Sequence, residues 1–185
     1  SSEQLQPRNV RFNYAVNTIE AGFMGVTLGV ASYVTVIPLF VASLTDSGIL
    51  IGLISAMRII GWQLPQLLTV NYVARLRRYK PMVMLMTLNE RLPFFALAFV
   101  ALAYSTLGRE VTLILTFTFV IWQSLGAGLT NPAWISMTSK VIPDRLHGMF
   151  YGFRGSASNL LSGGGALIAG LILASGTSAE NFALC

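Results

Sequence analysis

Charged and amide side chains are sparse in this chain, and those that interrupt its apolar runs are the ones that could do chemistry. Asn13, Asn17, Glu20, Met24 and Thr27 follow one another at intervals of three or four, which places them on one face of a helix. A charged carboxylate in mid-membrane costs about 3 kcal/mol unless it meets water, a counter-ion or a proton. Glu20 is therefore a candidate for carrying protons, and equally a candidate for a structural pair with an arginine. Arg58 lies near the middle of the next apolar run, with Ser55, Trp62 and Thr69 on its face, and it too needs a partner. Glu90 and Arg91 occur at matching depth in the third run, so a buried charge pair between Arg58 and Glu90, with Arg91 beside it, is expected. In the fourth run Thr112, Thr116, Gln123, Thr130 and Trp134 share a broad face, with Asn131 at its edge. Such a face suits a polar cavity lining or hydrogen bonds between helices. Asn17, Glu20, Thr27, Gln123 and Asn131 are the residues expected along a solute or proton path.

Other chemistry finds no footing. His147 is the one histidine and Cys185 the one cysteine, so neither a zinc motif nor a Ser/His/Asp or Cys/His constellation can be assembled, and no catalytic residue, metal site or cofactor is expected. The glycine-rich stretch from Gly155 to Gly170 lacks the GK[ST] of a phosphate loop and the G-x-G-x-x-G spacing. Met82, Met84 and Met86 alternate and so cannot form one helix face.

The elements that must position these residues are membrane helices. Hydrophobic residues make up 54% of the 185-residue chain and charged residues 10%, with a mean hydropathy of +0.67. An average soluble domain carries about 25% charged residues, so a soluble fold could not cover its surface from this composition. The expected fold is all-α, a polytopic membrane protein in one domain spanning 1–185, with helices at 13–41, 47–70, 82–104, 111–136 and 148–174. A sixth begins near Phe182. Arg8 and Arg11 precede the first run, which is too long for a signal-peptide core. The connections alternate in basic content. Arg75, Arg77, Arg78 and Lys80 occupy the second, Lys140 and Arg145 the fourth, and the first and third hold Arg109 alone. Basic residues collect on the cytoplasmic side, which predicts an N-terminus inside and makes Arg75, Arg77, Arg78, Lys80, Arg145 and Arg154 cytoplasmic anchors. The net charge of +5 has its explanation there, and no nucleic-acid partner is implied. The chain begins at Ser1 and stops after NFALC, so truncation at the C-terminus is expected.

This topology, with the basic second loop NYVARLRRYKP (71–81), the fourth loop IPDRLHGMFYGFR (142–154) and the glycine-rich fifth helix, resembles the N-terminal half of a major facilitator superfamily (MFS) transporter. The family's second-loop signature is roughly G-x-x-x-D-R-x-G-R-R. Arg75 and Arg78 match its basic positions, while Val70, Ala74 and Arg77 replace the first glycine, the aspartate and the second glycine. The antiporter motif ending in G-P-x-x-G-G is absent, since no proline occurs between Gly155 and Gly170.

The resemblance implies an integral, multi-pass protein of the plasma membrane. It implies part of a secondary active transporter for a small solute, working by alternating access and driven by protons through Glu20. Its partners would be the lipid bilayer, the solute, and the missing C-terminal half or another copy. The alternative from another class is a non-transporting scaffold that assembles through glycine-rich helix faces, such as Gly22, Gly25 and Gly29.

Overall fold

The computed structural model describes residues 7–185, with side chains from Asn9 onward, so the side chain of Arg8 lies outside the described residues. Every regular element among them is helical: α1 (Pro7–Val30), α2 (Val36–Leu44), α3 (Gly48–Ala74), α4 (Lys80–Leu102), α5 (Tyr104–Val141), α6 (His147–Ala174) and α7 (Ala179–Leu184), with a single 3-10 turn at Asp144–Leu146. Four of these are long and apolar enough to cross a membrane: α3, α4, α5, and α6 with its leading turn. Leu67, Leu68, Leu160, Leu167 and Leu171 each expose about three-quarters of their surface. Such rows suit hydrocarbon and are unfit for water.

The first apolar run departs from expectation. The single helix expected over 13–41 is two helices, separated at residues 31–35. Pro38 favours the break without dictating it, since Pro65, Pro93 and Pro132 sit inside α3, α4 and α5. In an unbroken helix it would delete a backbone hydrogen bond and clash with the carbonyl one turn back, at a cost of about 3 kcal/mol. Breaking before Val36 puts Pro38 in the first turn of α2, where a missing N–H costs nothing. The Ser32 side chain accepts hydrogen bonds from the Val34 and Thr35 amides at 3.2 Å each, closing the turn. Ser55 of α3 donates to the Tyr33 carbonyl at 2.8 Å and pins it. The first half of the run, α1, is not among the four apolar helices, because Asn13, Asn17 and Glu20 interrupt it.

The helices form two groups. α1 packs along α6, and α5 packs against α3 and α4. The α1–α6 contact follows from glycine: a Cβ added at Gly25 would meet the Ser158 backbone, and one at Gly29 would meet the Ser162 carbonyl. Gly165 reciprocates against Val26 of α1. Small residues let backbones approach closely where lipid offers no hydrophobic driving force. In the second group α5 is the centre. Thr112, Thr116, Gln123, Ser124 and Thr138 on it are fully buried, and Gly128 lets the Trp62 carbonyl of α3 come close. Gly108, at φ 75°, is a non-helical kink four residues into α5, a conformation that suits glycine. The two groups meet through α7, which packs on α4 and α6, and through a core cluster that joins Phe40 of α2 with Ala101 of α4, Ala169 of α6 and Phe182 of α7.

The open side of α6 gives the control for this interface, since a Cβ at Gly163 meets nothing within 4 Å. Gly29→Ala is expected to destabilise the bundle by about 1–3 kcal/mol through overpacking. Gly163→Ala should be neutral or stabilising by up to about 1 kcal/mol, from helix propensity alone. Unfolding in detergent or bicelles measures both, and equal effects would contradict the α1–α6 contact.

Candidate functional site

Glu20 is held by two arginines from two other helices. Arg91 of α4 reaches its Oε1 at 3.1 Å, and Arg154 of α6 reaches its Oε2 at 3.4 Å. Arg154 also lies over the Trp134 ring of α5, 4.1 Å from the centroid, and is 27% exposed. Glu20 and Arg154 sit on the paired helices α1 and α6, while Arg91 and Trp134 belong to the other group. The ion pair and the cation–π contact therefore both cross the division between the groups. One carboxylate between two guanidiniums leaves one positive charge in excess.

Two expectations are corrected here. Arg58 and Glu90 do not form an ion pair within 4.0 Å; Arg58 instead stacks on Tyr33, 5.3 Å from the ring centroid, beside the α1–α2 break. Arg91, placed beside that pair, takes Glu20. Matching depth in two antiparallel helices does not fix the direction in which side chains point. Arg154, expected as an anchor at the cytoplasmic surface, instead turns inward to Glu20 and Trp134. It stands seven residues into α6, roughly 10 Å along the axis, deep enough to meet a residue of α1.

Beside this cluster lies a cavity of about 510 Å³, lined by Met24, Thr27, Arg91, Phe94, Thr116 and a largely apolar remainder from α1, α2, α4 and α7. Of the expected path residues, Thr27 lines it, with its hydroxyl bonded to the Phe23 carbonyl at 3.1 Å. Asn17 donates to the Asn13 carbonyl of its own helix at 2.8 Å. Asn131 donates to Gln66 of α3 at 2.8 Å, tying α5 to α3. Gln123 is fully buried in α5, and neither its amide nitrogen nor its oxygen has a protein partner. The five are thus distributed over separate environments.

The α5 hydroxyls divide in the same way. Thr112, Thr116, Ser124, Thr130 and Thr138 each bond a carbonyl one turn back on α5 itself. Trp122 donates to Asn89 of α4 at 3.0 Å. Their polarity is consumed by the bundle, and Gln123 is the exception. Among the described residues no three His, Cys, Asp or Glu side chains gather as a metal-binding group. The contributions of Trp134 and Gln66 follow from helix packing between non-consecutive segments, and no local pattern signals them.

Fold and site together define a helical bundle whose four long apolar helices fit a multi-pass integral membrane protein, with a half-exposed charged cluster between its helix groups. No protein-family model, curated protein or solved structure matches the chain.

Two outcomes follow. Gln123→Leu removes a buried amide without protein partners and is expected to stabilise the bundle by about 1–3 kcal/mol in unfolding measurements. A double-mutant cycle of Glu20→Gln with Arg91→Gln should return a coupling of about 0.5–1 kcal/mol, discounted because both side chains are more than a third exposed. Zero coupling would remove the ion pair as a tie between the two helix groups.

Proposed function

We propose that the chain is part of a secondary active transporter that moves a small solute across the membrane by alternating access, with Glu20 as a proton-responsive element. One observation carries the reading: an ionised cluster, Glu20 with Arg91 and Arg154, crosses between two helix groups beside a cavity of about 510 Å³. Ionisable residues within membrane helices face water-filled paths or partners and mark solute and proton routes. The cluster does both, since Arg91 lines the cavity while binding Glu20. A proton on Glu20 would cancel its attraction to Arg91 and Arg154 together and so loosen α1 from α4. That couples protonation to the separation of the groups, which is the kind of rearrangement alternating access needs. Gln123 supplies a second polar point, buried in α5 with its hydrogen-bonding capacity unused by protein.

The plasma membrane, an inside N-terminus and membership of the MFS belong to the same proposal. Support comes from the positions of the cations. Arg11 at the start of α1, the α3–α4 turn and the α5–α6 connection carry most of them, as a cytoplasmic end requires. The transporter cycle further needs an opposing wall. Gly148, Gly152, Gly155, Gly163 and Gly170 of α6 each have open space where a Cβ would stand. This row suits a second half of the protein or another copy. The scaffold alternative draws on the same row, whereas Gly25 and Gly29 are already used within the chain.

Proteoliposomes containing the complete reading frame, tested against a solute panel under a pH gradient, separate the two. Glu20→Gln is expected to abolish proton-driven accumulation while sparing solute exchange. Unchanged accumulation would take Glu20 out of the mechanism, and no response to any solute or pH gradient would leave the scaffold.

A further inference from the structure

The basic turn between α3 and α4 does more than collect charge at one end of the bundle. Arg77, Arg78, Tyr79 and Lys80 line an open surface cavity of about 510 Å³, and Lys140 from the last turn of α5 lines it with them. Four cations, from the α3–α4 turn, the start of α4 and the end of α5, line one space, and no carboxylate lines it with them. None of the four makes an ion pair with a described carboxylate within 4.0 Å. Lys140 is positioned rather than free, its Nζ 4.6 Å from the Tyr79 ring centroid. α4 starts at this point, with no acidic residue in its first turn and no side-chain cap. Its unpaired N–H groups and the positive end of its dipole add to the same field. Like charges gathered in one cavity repel, and an anion accepting several charge-assisted hydrogen bonds reverses the sign of that interaction.

We propose that this cavity binds a phosphate group, that of an anionic phospholipid seated at the membrane surface. A phosphodiester offers a compact anion for the Arg77, Arg78, Lys80 and Lys140 side chains. The choice of a lipid over free phosphate rests on what continues from the cavity. Met84 of α4 lines it and is 63% exposed, and Leu88, one turn further along α4, is 58% exposed. An acyl chain leaving the phosphate would lie along this apolar track. Basic pockets between membrane helices at the cytoplasmic surface hold anionic headgroups by the same physics. Arg75 and Arg145 are close in sequence but do not line the cavity, so they separate pocket binding from a diffuse field.

The test uses the full chain in a neutral detergent with dioctanoyl phosphatidylglycerol, dioctanoyl phosphatidylcholine and inorganic phosphate as probes, titrated calorimetrically. Phosphatidylglycerol is expected to bind at least about ten-fold more tightly than either other probe. Arg77→Gln, Arg78→Gln and Lys140→Gln combined should weaken it about ten-fold or more, while Arg75→Gln with Arg145→Gln changes it less than about two-fold. Restoring lysine at position 140 of the triple variant should recover part of the loss, which separates a lost site from a misfolded protein. Equal weakening in the Arg75 and Arg145 control, or no preference for phosphatidylglycerol over phosphatidylcholine, would overturn the pocket. Inorganic phosphate binding as tightly as phosphatidylglycerol would overturn the lipid source.

Discussion

The contacts of Glu20 with Arg91 and of Arg154 with Trp134 tie together two helix groups that otherwise meet through short elements. Lipid tails are as apolar as leucine, so no hydrophobic force draws the groups together. Association there rests on close packing, on hydrogen bonds and on charges that would be worse off apart. α1 and α6 use the first of these, through Gly25, Gly29 and Gly165. α3, α4 and α5 add the second, through Gln66 to Asn131 and Asn89 to Trp122. Between the groups charge adds to the apolar cluster around Phe40, Ala169 and Phe182, as a contact of modest strength between half-exposed side chains.

A tie of this kind differs physically from a packed glycine interface. Close backbone packing is lost steeply with distance and has one arrangement. An ion pair with 38% and 47% exposed partners is weaker, reaches further, and is sensitive to a single proton or a competing anion. The bundle therefore has a rigid contact within each group and a conditional one between them. The cavity lined by Thr27 and Arg91 lies beside the conditional contact.

How much of this was readable in the sequence depends on whether the signal is local. The helical class and the approximate positions of four apolar helices follow from composition and run length. So does the need of Glu20, Arg58 and Arg91 for partners. Partner identity does not follow, because depth along a helix is encoded by position while the direction a side chain faces depends on which helices pack. Glu90 has the right depth for Arg58 but does not reach it, and Arg154, counted as a surface anchor, completes the Glu20 cluster. The pairing of α1 with α6 lies between the ends of the chain, and the glycines that permit it name no partner. The break at residues 31–35 was not readable from Pro38 alone, since Pro65, Pro93 and Pro132 sit inside α3, α4 and α5 without ending them. Lys140 was counted as a loop charge, and its place opposite Tyr79 follows from α5 continuing past Ser136 to Val141.

Gln123 shows why polarity on a helix face is an ambiguous sign. Five buried hydroxyls on α5 fold back on their own helix, and they do so because Thr and Ser oxygens reach the carbonyl one turn earlier. Such residues look polar in sequence and are nearly apolar in effect. An amide carries two donors and further acceptor capacity, more than a local back-bond can absorb. Gln123 is fully buried without using either end. The cost of burying an amide that way is borne by the bundle, and a stable packing would replace it with leucine at no loss of volume. Among the described residues of α5, Gln123 is the one buried polar side chain whose hydrogen-bonding groups meet no protein partner.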